Sequence, residues 1–232
     1  MELVPVAAGV GGGAVASVGA VRPHELVALY LATLRTDSGR RAMESALTAL
    51  ARAAATLSAH ESVRRRDRAF IALLVGCGLP REECLTVETP DSDALPGHMV
   101  VHGKGGRERD VFLPGWAARE LEGWIRHRGR FHGPLLAPIT RHGRVRVGAQ
   151  WSTAAASRRF CELAAAAGVE CTPHDTRRTW ITAELARGTD VVLVARAVGH
   201  QSPSTTAGYD RRGLVALEEL AGHQPALEGF AT

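Results

Sequence analysis

The sequence predicts a mainly α-helical protein with a small antiparallel β-sheet, an α+β fold, and three observations carry that prediction. Apolar residues recur at helical spacing, as in Ala42, Leu47, Leu50 and Ala54. Runs with β-propensity are few, short and joined by glycine-rich turns. The chain of 232 residues is 45% hydrophobic but only 5% aromatic, which suits a helical core of Ala, Leu and Val and is long enough to bury one.

Taken in order, residues 1–22 are apolar and glycine-rich and read as a flexible tail. They lack a basic start, and Gly11-Gly12-Gly13 interrupts any helix, so a signal peptide is not expected. Helices follow at His24–Leu34 and Gly39–Leu57, forming a short helical region over 23–60. Ser58–Arg68 reads as a polar link, and a buried helix as running from Asp67 to Cys77. Gly78-Leu79-Pro80 breaks it, with the proline placed to begin the next short helix. Met99–His102 and Asp110–Leu113 form a hairpin, Trp116–His127 a helix, and Leu135–Val147 a second, weaker hairpin. An Ala-rich helix spans Thr153–Ala167, and helices near 175–187, 190–198, 203–208 and 214–222 complete the chain.

No apolar run of 18 or more residues is present, so no membrane span is expected. Cys77, Cys84, Cys161 and Cys171 lack zinc-ligand spacing and read as buried, reduced thiols of a cytoplasmic protein. The formal charge of +4 is unevenly spread: from Gly123 to Arg159 there are eight arginines and no acid. That stretch is either a solvated charged face or a surface for the DNA backbone, and the lack of compensating acids favours DNA. Lysine occurs once, at Lys104 within Gly103-Lys104-Gly105-Gly106. Arginine holds its proton near neutral pH, so a general acid among these cations has to be the lysine.

Near the C-terminal end stand His174-Asp175-Thr176-Arg177, then Gly199-His200, then Tyr209. Arginine offers phosphate a planar fork of donors, histidine a hydrogen bond or a proton, and tyrosine a hydroxyl that can attack phosphorus. With 10 His in an arginine-rich chain, about one His-x-x-Arg match arises by chance, and His127–Arg130 is a second case. Tyrosine is more telling, because the chain has only Tyr30 and Tyr209.

The ordered set, with its flanks His174–Trp180, Val198–His200 and Ser204–Gly213 and the upstream segment Val101–Pro114, resembles the tyrosine recombinase (phage integrase) family. The resemblance covers roughly residues 64–222. It implies a catalytic domain over 61–232 preceded by a shortened DNA-clamping helical region. It also implies site-specific recombination or integration of double-stranded DNA by a homo-tetramer, without metal or cofactor. Tyr209 would form a 3′-phosphotyrosyl link, Arg177 would hold the scissile phosphate, and His174 and His200 would donate to it. Lys104, on the hairpin turn, would protonate the leaving 5′-oxygen.

The family carries a further arginine in a Gly-Leu-Arg-x-x-Glu pattern, where this chain reads Gly78-Leu79-Pro80-Arg81-Glu82-Glu83. Glu83 matches the acid, which would orient neighbouring cations, but Pro80 stands where the arginine should be and cannot bind phosphate. Arg81 is the adjacent substitute, turned by about 100° around the helix. Losing one transition-state donor costs about 10²–10³ in rate. The alternative to an active recombinase is therefore a DNA-binding remnant with impaired cleavage. A helix-turn-helix regulator explains neither Lys104 nor Tyr209, and a type IB topoisomerase fits the short chain and the Gly-His to Tyr spacing less well.

Overall fold

The computed structural model describes residues 37–89, 97–103 and 105–210. The expected tail at 1–22, the helices at His24–Leu34 and 214–222, and Lys104 lie outside the described residues, as do the side chains of Ala42 and Leu47. The α-helices are α1 (Asp37–Thr56), α2 (Glu61–Ile71), α3 (Arg81–Thr86), α4 (Gly115–Arg128), α5 (Thr153–Ala166), α6 (Pro173–Ala186), α7 (Val191–Val198) and α8 (Pro203–Ala207). A π-helical turn, Ala72–Gly76, continues α2, and the strands are β1 (His98–His102) and β2 (Glu108–Phe112). The mainly helical fold with one small antiparallel sheet is the architecture expected from the sequence.

Three local expectations change. Residues 58–68 are not a link: α2 begins at Glu61. Its arginines are absorbed by partners that hydropathy alone does not reveal, Arg65 by Glu61 one turn back and Arg66 by the adjacent Asp67 and the face of Trp151, 3.8 Å from the ring centroid. The second hairpin at Leu135–Val147 is reduced to an isolated bridge, Ile139 with Val145, because few residues there pair before the chain turns away. Cys77 and Cys84 are buried as expected, but Cys161 is exposed and Cys171 half-buried. Burial pushes the Cys77 thiol up to about 12.

The main core gathers Leu50 and Ala54 of α1, Phe70, Leu73 and Leu74 of α2 and the π turn, Leu85 of α3, Val101 of β1, Trp124 of α4 and Phe160 and Leu163 of α5. The Trp124 indole N–H donates to the Leu135 carbonyl at 2.8 Å, tying the long loop after α4 to that core. Arg128, buried at 3% exposure, donates to the carbonyls of Gly129, Phe131, Gly133 and Pro134, so it organises the same loop. A second, smaller cluster joins Ile181 and Leu185 of α6 to Val194 and Val198 of α7, with Trp180 and Tyr209 packed against it. α6 also packs on the π turn and α7 on β2. The candidate residues Arg177, His200 and Tyr209 collect along the seam between the two clusters.

Candidate active site

α6 begins with a capping box in which the Thr172 hydroxyl accepts from the Asp175 amide and the Asp175 carboxylate accepts from the Thr172 amide, with Pro173 in the first turn. This fixed start sets the direction of Arg177 one turn later. Arg177 is 9% exposed; its NH1 donates to the Gly78 carbonyl at 2.9 Å and its NH2 to the Val198 carbonyl at 2.7 Å. One guanidinium thus joins the end of the π turn to the end of α7. Burial lowers its proton affinity, Glu83 and Tyr209 oppose that shift and Arg109 adds to it, and the group stays cationic.

Gly78 permits this contact. Its φ is +61°, and a Cβ there would lie 2.8 Å from the Trp180 ring, whose indole N–H donates to the Gly76 carbonyl at 3.2 Å. α7 ends at Gly199, in the left-handed conformation at φ +74°, and the turn delivers His200. The His200 Nδ1 lies 2.8 Å from the Thr206 hydroxyl, and Thr206 is fully buried in α8. When Thr206 donates to Nδ1, the proton sits on Nε2, which is then a donor to solvent or ligand. Burial first, then Arg177 and Arg109, pushes His200 below the usual histidine range, so it is neutral at pH 7.

Tyr209 is half-buried, its ring 6.2 Å from that of His200 at 24°, and it lies within electrostatic reach of Arg177. Arg177, His200 and Tyr209 are therefore brought together. His174 stands exposed on the first turn of α6. Burial works against ionising Glu82, but its own backbone hydrogen bond, Arg81 and the electrostatic influence of His174 together hold that carboxyl below the usual range. Arg81 starts α3 behind Pro80, and its guanidinium is taken by the Ser157 hydroxyl of α5 and by Glu82. Among the described residues it makes no hydrogen bond to Arg177, His200 or Tyr209.

Glu83, by contrast, sits in the cluster, paired with Arg109 of β2. Arg109 also donates from Nε to the Ala197 carbonyl at 3.0 Å. Gly103, the residue before Lys104, lies against both: a Cβ there would be 3.5 Å from the Glu83 carboxylate and from Arg109 NH1. Sequence reasoning missed Arg109, although a signal existed. Strand side chains alternate, so Arg109 shares a face with buried Val111 and pairs across the sheet with buried Val101. A charge on the inward face of a short strand needs a partner, and that requirement marks a site.

The basic stretch divides. Arg128 is internal, and Arg159 pairs with the fully buried Asp67 at 2.7 Å, whereas Arg126, Arg130, Arg141, Arg144, Arg146 and Arg158 are exposed. Among the described residues, no helix is long and apolar enough to cross a membrane.

The model of the phage integrase family matches residues 20–212. The chain belongs to that family, the tyrosine recombinases. Similar family members include the tyrosine recombinase XerA of Pyrococcus furiosus, 30% identical over 166 residues that make up 71% of this chain and 57% of that protein. Another is XerC of Rhizobium meliloti, 34% identical over 157 residues, or 67% of this chain and 48% of its own length. This recombinase-family chain thus spans about half the length of such relatives. In fold it resembles crystalline XerA recombinase, with a TM-score of 0.60 at 23% identity over 79% of this chain and 65% of that one. It also resembles XerH bound to its difH substrate in a pre-cleavage complex, with a TM-score of 0.61 at 23% identity over 78% of this chain and 53% of that one.

Proposed function

We propose that this integrase-family chain cuts and rejoins duplex DNA at a specific site through Tyr209. The observation that carries the reading is the convergence of Arg177, His200 and Tyr209, three groups from separate helices and turns, at one partly open seam. The phenolic oxygen of Tyr209 attacks the scissile phosphorus, a 3′-phosphotyrosyl bond forms, and the bond to the 5′-oxygen breaks. Lys104 gives that oxygen its proton. Arg177 neutralises the non-bridging oxygens, where charge accumulates, and His200 donates a hydrogen bond to them. His174, exposed on the first turn of α6, is the further donor or proton carrier. A 5′-hydroxyl from the partner strand then attacks the phosphotyrosine and releases Tyr209, so the ester bond is conserved and no nucleotide cofactor is consumed.

The exposed arginines between Arg126 and Arg158 supply sequence-independent affinity for the DNA backbone. Residues 61–232 act as the catalytic domain and 23–60 as a shortened clamp, in a cytoplasmic protein that works as a homo-tetramer on DNA.

One observation favours a second reading: Pro80, the N-cap of α3, has no charge where the family carries an arginine, so the chain would bind DNA with little cleavage. Sites selected by binding from a random duplex pool, rebuilt as nicked suicide substrates, separate the two. A covalent adduct on a denaturing gel that disappears with Tyr209→Phe supports cleavage. An adduct that appears only after Pro80→Arg supports the remnant.

A further inference from the structure

We propose that Arg109 of β2 supplies the second phosphate-binding guanidinium that the proline at position 80 removes from this site. The inference rests on the cleavage reading above. Arg81, the neighbour in sequence, is turned to α5 and occupied by Ser157 and Glu82. Arg109 arrives from another element and lies in the seam itself. Its Nε is fixed on the Ala197 carbonyl and its NH2 on Glu83, while NH1 makes no hydrogen bond among the described residues.

That free nitrogen has a defined direction. A Cβ built on Gly199 would lie 3.1 Å from NH1 and 3.3 Å from the Arg109 Cζ, so the guanidinium lies flat against the turn that delivers His200. Gly199 is consequently required twice, for its positive φ and for this close approach. Arg109 also acts electrostatically on both Arg177 and His200. The two cations repel, and the Glu83 carboxylate offsets them, being paired with Arg109 and attracting Arg177. The described groups sum to one carboxylate, two guanidiniums and a neutral imidazole. The unbalanced positive charge matches one phosphodiester, and anchored donors need no reorganisation when charge builds on it. Anchoring two of the three guanidinium nitrogens leaves NH1 as a preset donor, in the manner of an arginine held ready rather than one free in solvent.

The test compares wild type with Arg109→Ala on the selected suicide substrate and on the same DNA carrying a methylphosphonate at the scissile position. Methylphosphonate lacks the negative charge, so a residue whose task is to neutralise that charge becomes dispensable. Arg109→Ala is expected to lower the rate of adduct formation about 10²–10³-fold on the phosphodiester and to fall much closer to wild type on the methylphosphonate. Equal losses on both substrates would assign Arg109 a structural task and overturn the proposal, as would an Arg109→Ala rate within a few-fold of wild type on the phosphodiester. Should the alanine variant not fold, Arg109→Met, which keeps the aliphatic stem, carries the same comparison. A wild type that forms no adduct on either DNA overturns the cleavage reading and this proposal with it, an outcome distinct from loss in the variant alone.

Discussion

Replacing Asp67 with alanine tests the stability argument most directly. Asp67 is 0% exposed; one carboxylate oxygen accepts from Arg66 NH2 at 2.8 Å and the other from Arg159 Nε at 2.7 Å. The two arginines differ in what they keep when the carboxylate goes. Arg159 retains Glu162 at 2.8 Å, whereas Arg66, 6% exposed, retains the face of Trp151 and the weaker attraction of Glu162 but no hydrogen-bonded carboxylate. Burial already lowers the proton affinity of Arg66 despite Asp67, so the variant strands a buried cation. Breaking a buried pair from one side costs about 3–5 kcal/mol. For a domain of this size that corresponds to a fall in Tm of roughly 6–20 °C. Replacing the whole group by apolar residues, with Arg66→Met, Asp67→Leu and Arg159→Met together, removes the stranded charge and should recover most of the loss. Urea and thermal unfolding of the three proteins provide the assay. A loss under about 1 kcal/mol for Asp67→Ala, or a triple variant as unstable as the single one, would refute the reasoning.

Gly78→Ala forces a side chain into a positive-φ position against Trp180 and should cost about 2–4 kcal/mol, visible as a lower unfolding midpoint and altered Trp180 fluorescence; an unchanged midpoint contradicts it. Thr206→Val keeps the shape of a buried residue but removes the hydroxyl at His200 Nδ1. Adduct formation should drop roughly tenfold or less, the scale of one neutral hydrogen bond, and wild-type kinetics would dismiss the positioning role. His200 is held below its ordinary range by burial and by Arg177 and Arg109. The unfolded chain therefore takes up a proton first, and this contribution to stability is intact above about pH 6.5 and lost as pH falls below it toward the depressed folded value. Between pH 7 and pH 5 the Tm of wild type should fall more steeply than that of His200→Gln; parallel curves would show the imidazole to be indifferent to folding.

Much of the fold was legible because helical periodicity and glycine-bounded β runs are local properties. α1, α4, α5, α6 and α7 appear within a few residues of expectation. The start of α2 is hidden in the sequence because Arg64-Arg65-Arg66 looks like a solvated link, and only the packed partners Asp67 and Trp151 make Arg66 a buried residue. Two of the eight arginines between Gly123 and Arg159 turned inward for the same kind of reason.

The sequence by itself determined the family and its candidate set, since an ordered series that includes the scarce Tyr209 and Lys104 survives in one dimension. It also showed a proline at position 80, which has no charge and no side-chain donor. Only the tertiary structure decided which cations share the seam. Arg177 meets a carbonyl 99 residues away, and Arg109 meets Glu83 across 26 residues and Ala197 across 88. Periodicity says which way a side chain points, but the charge it meets comes from another element, and that pairing exists only once the chain has packed.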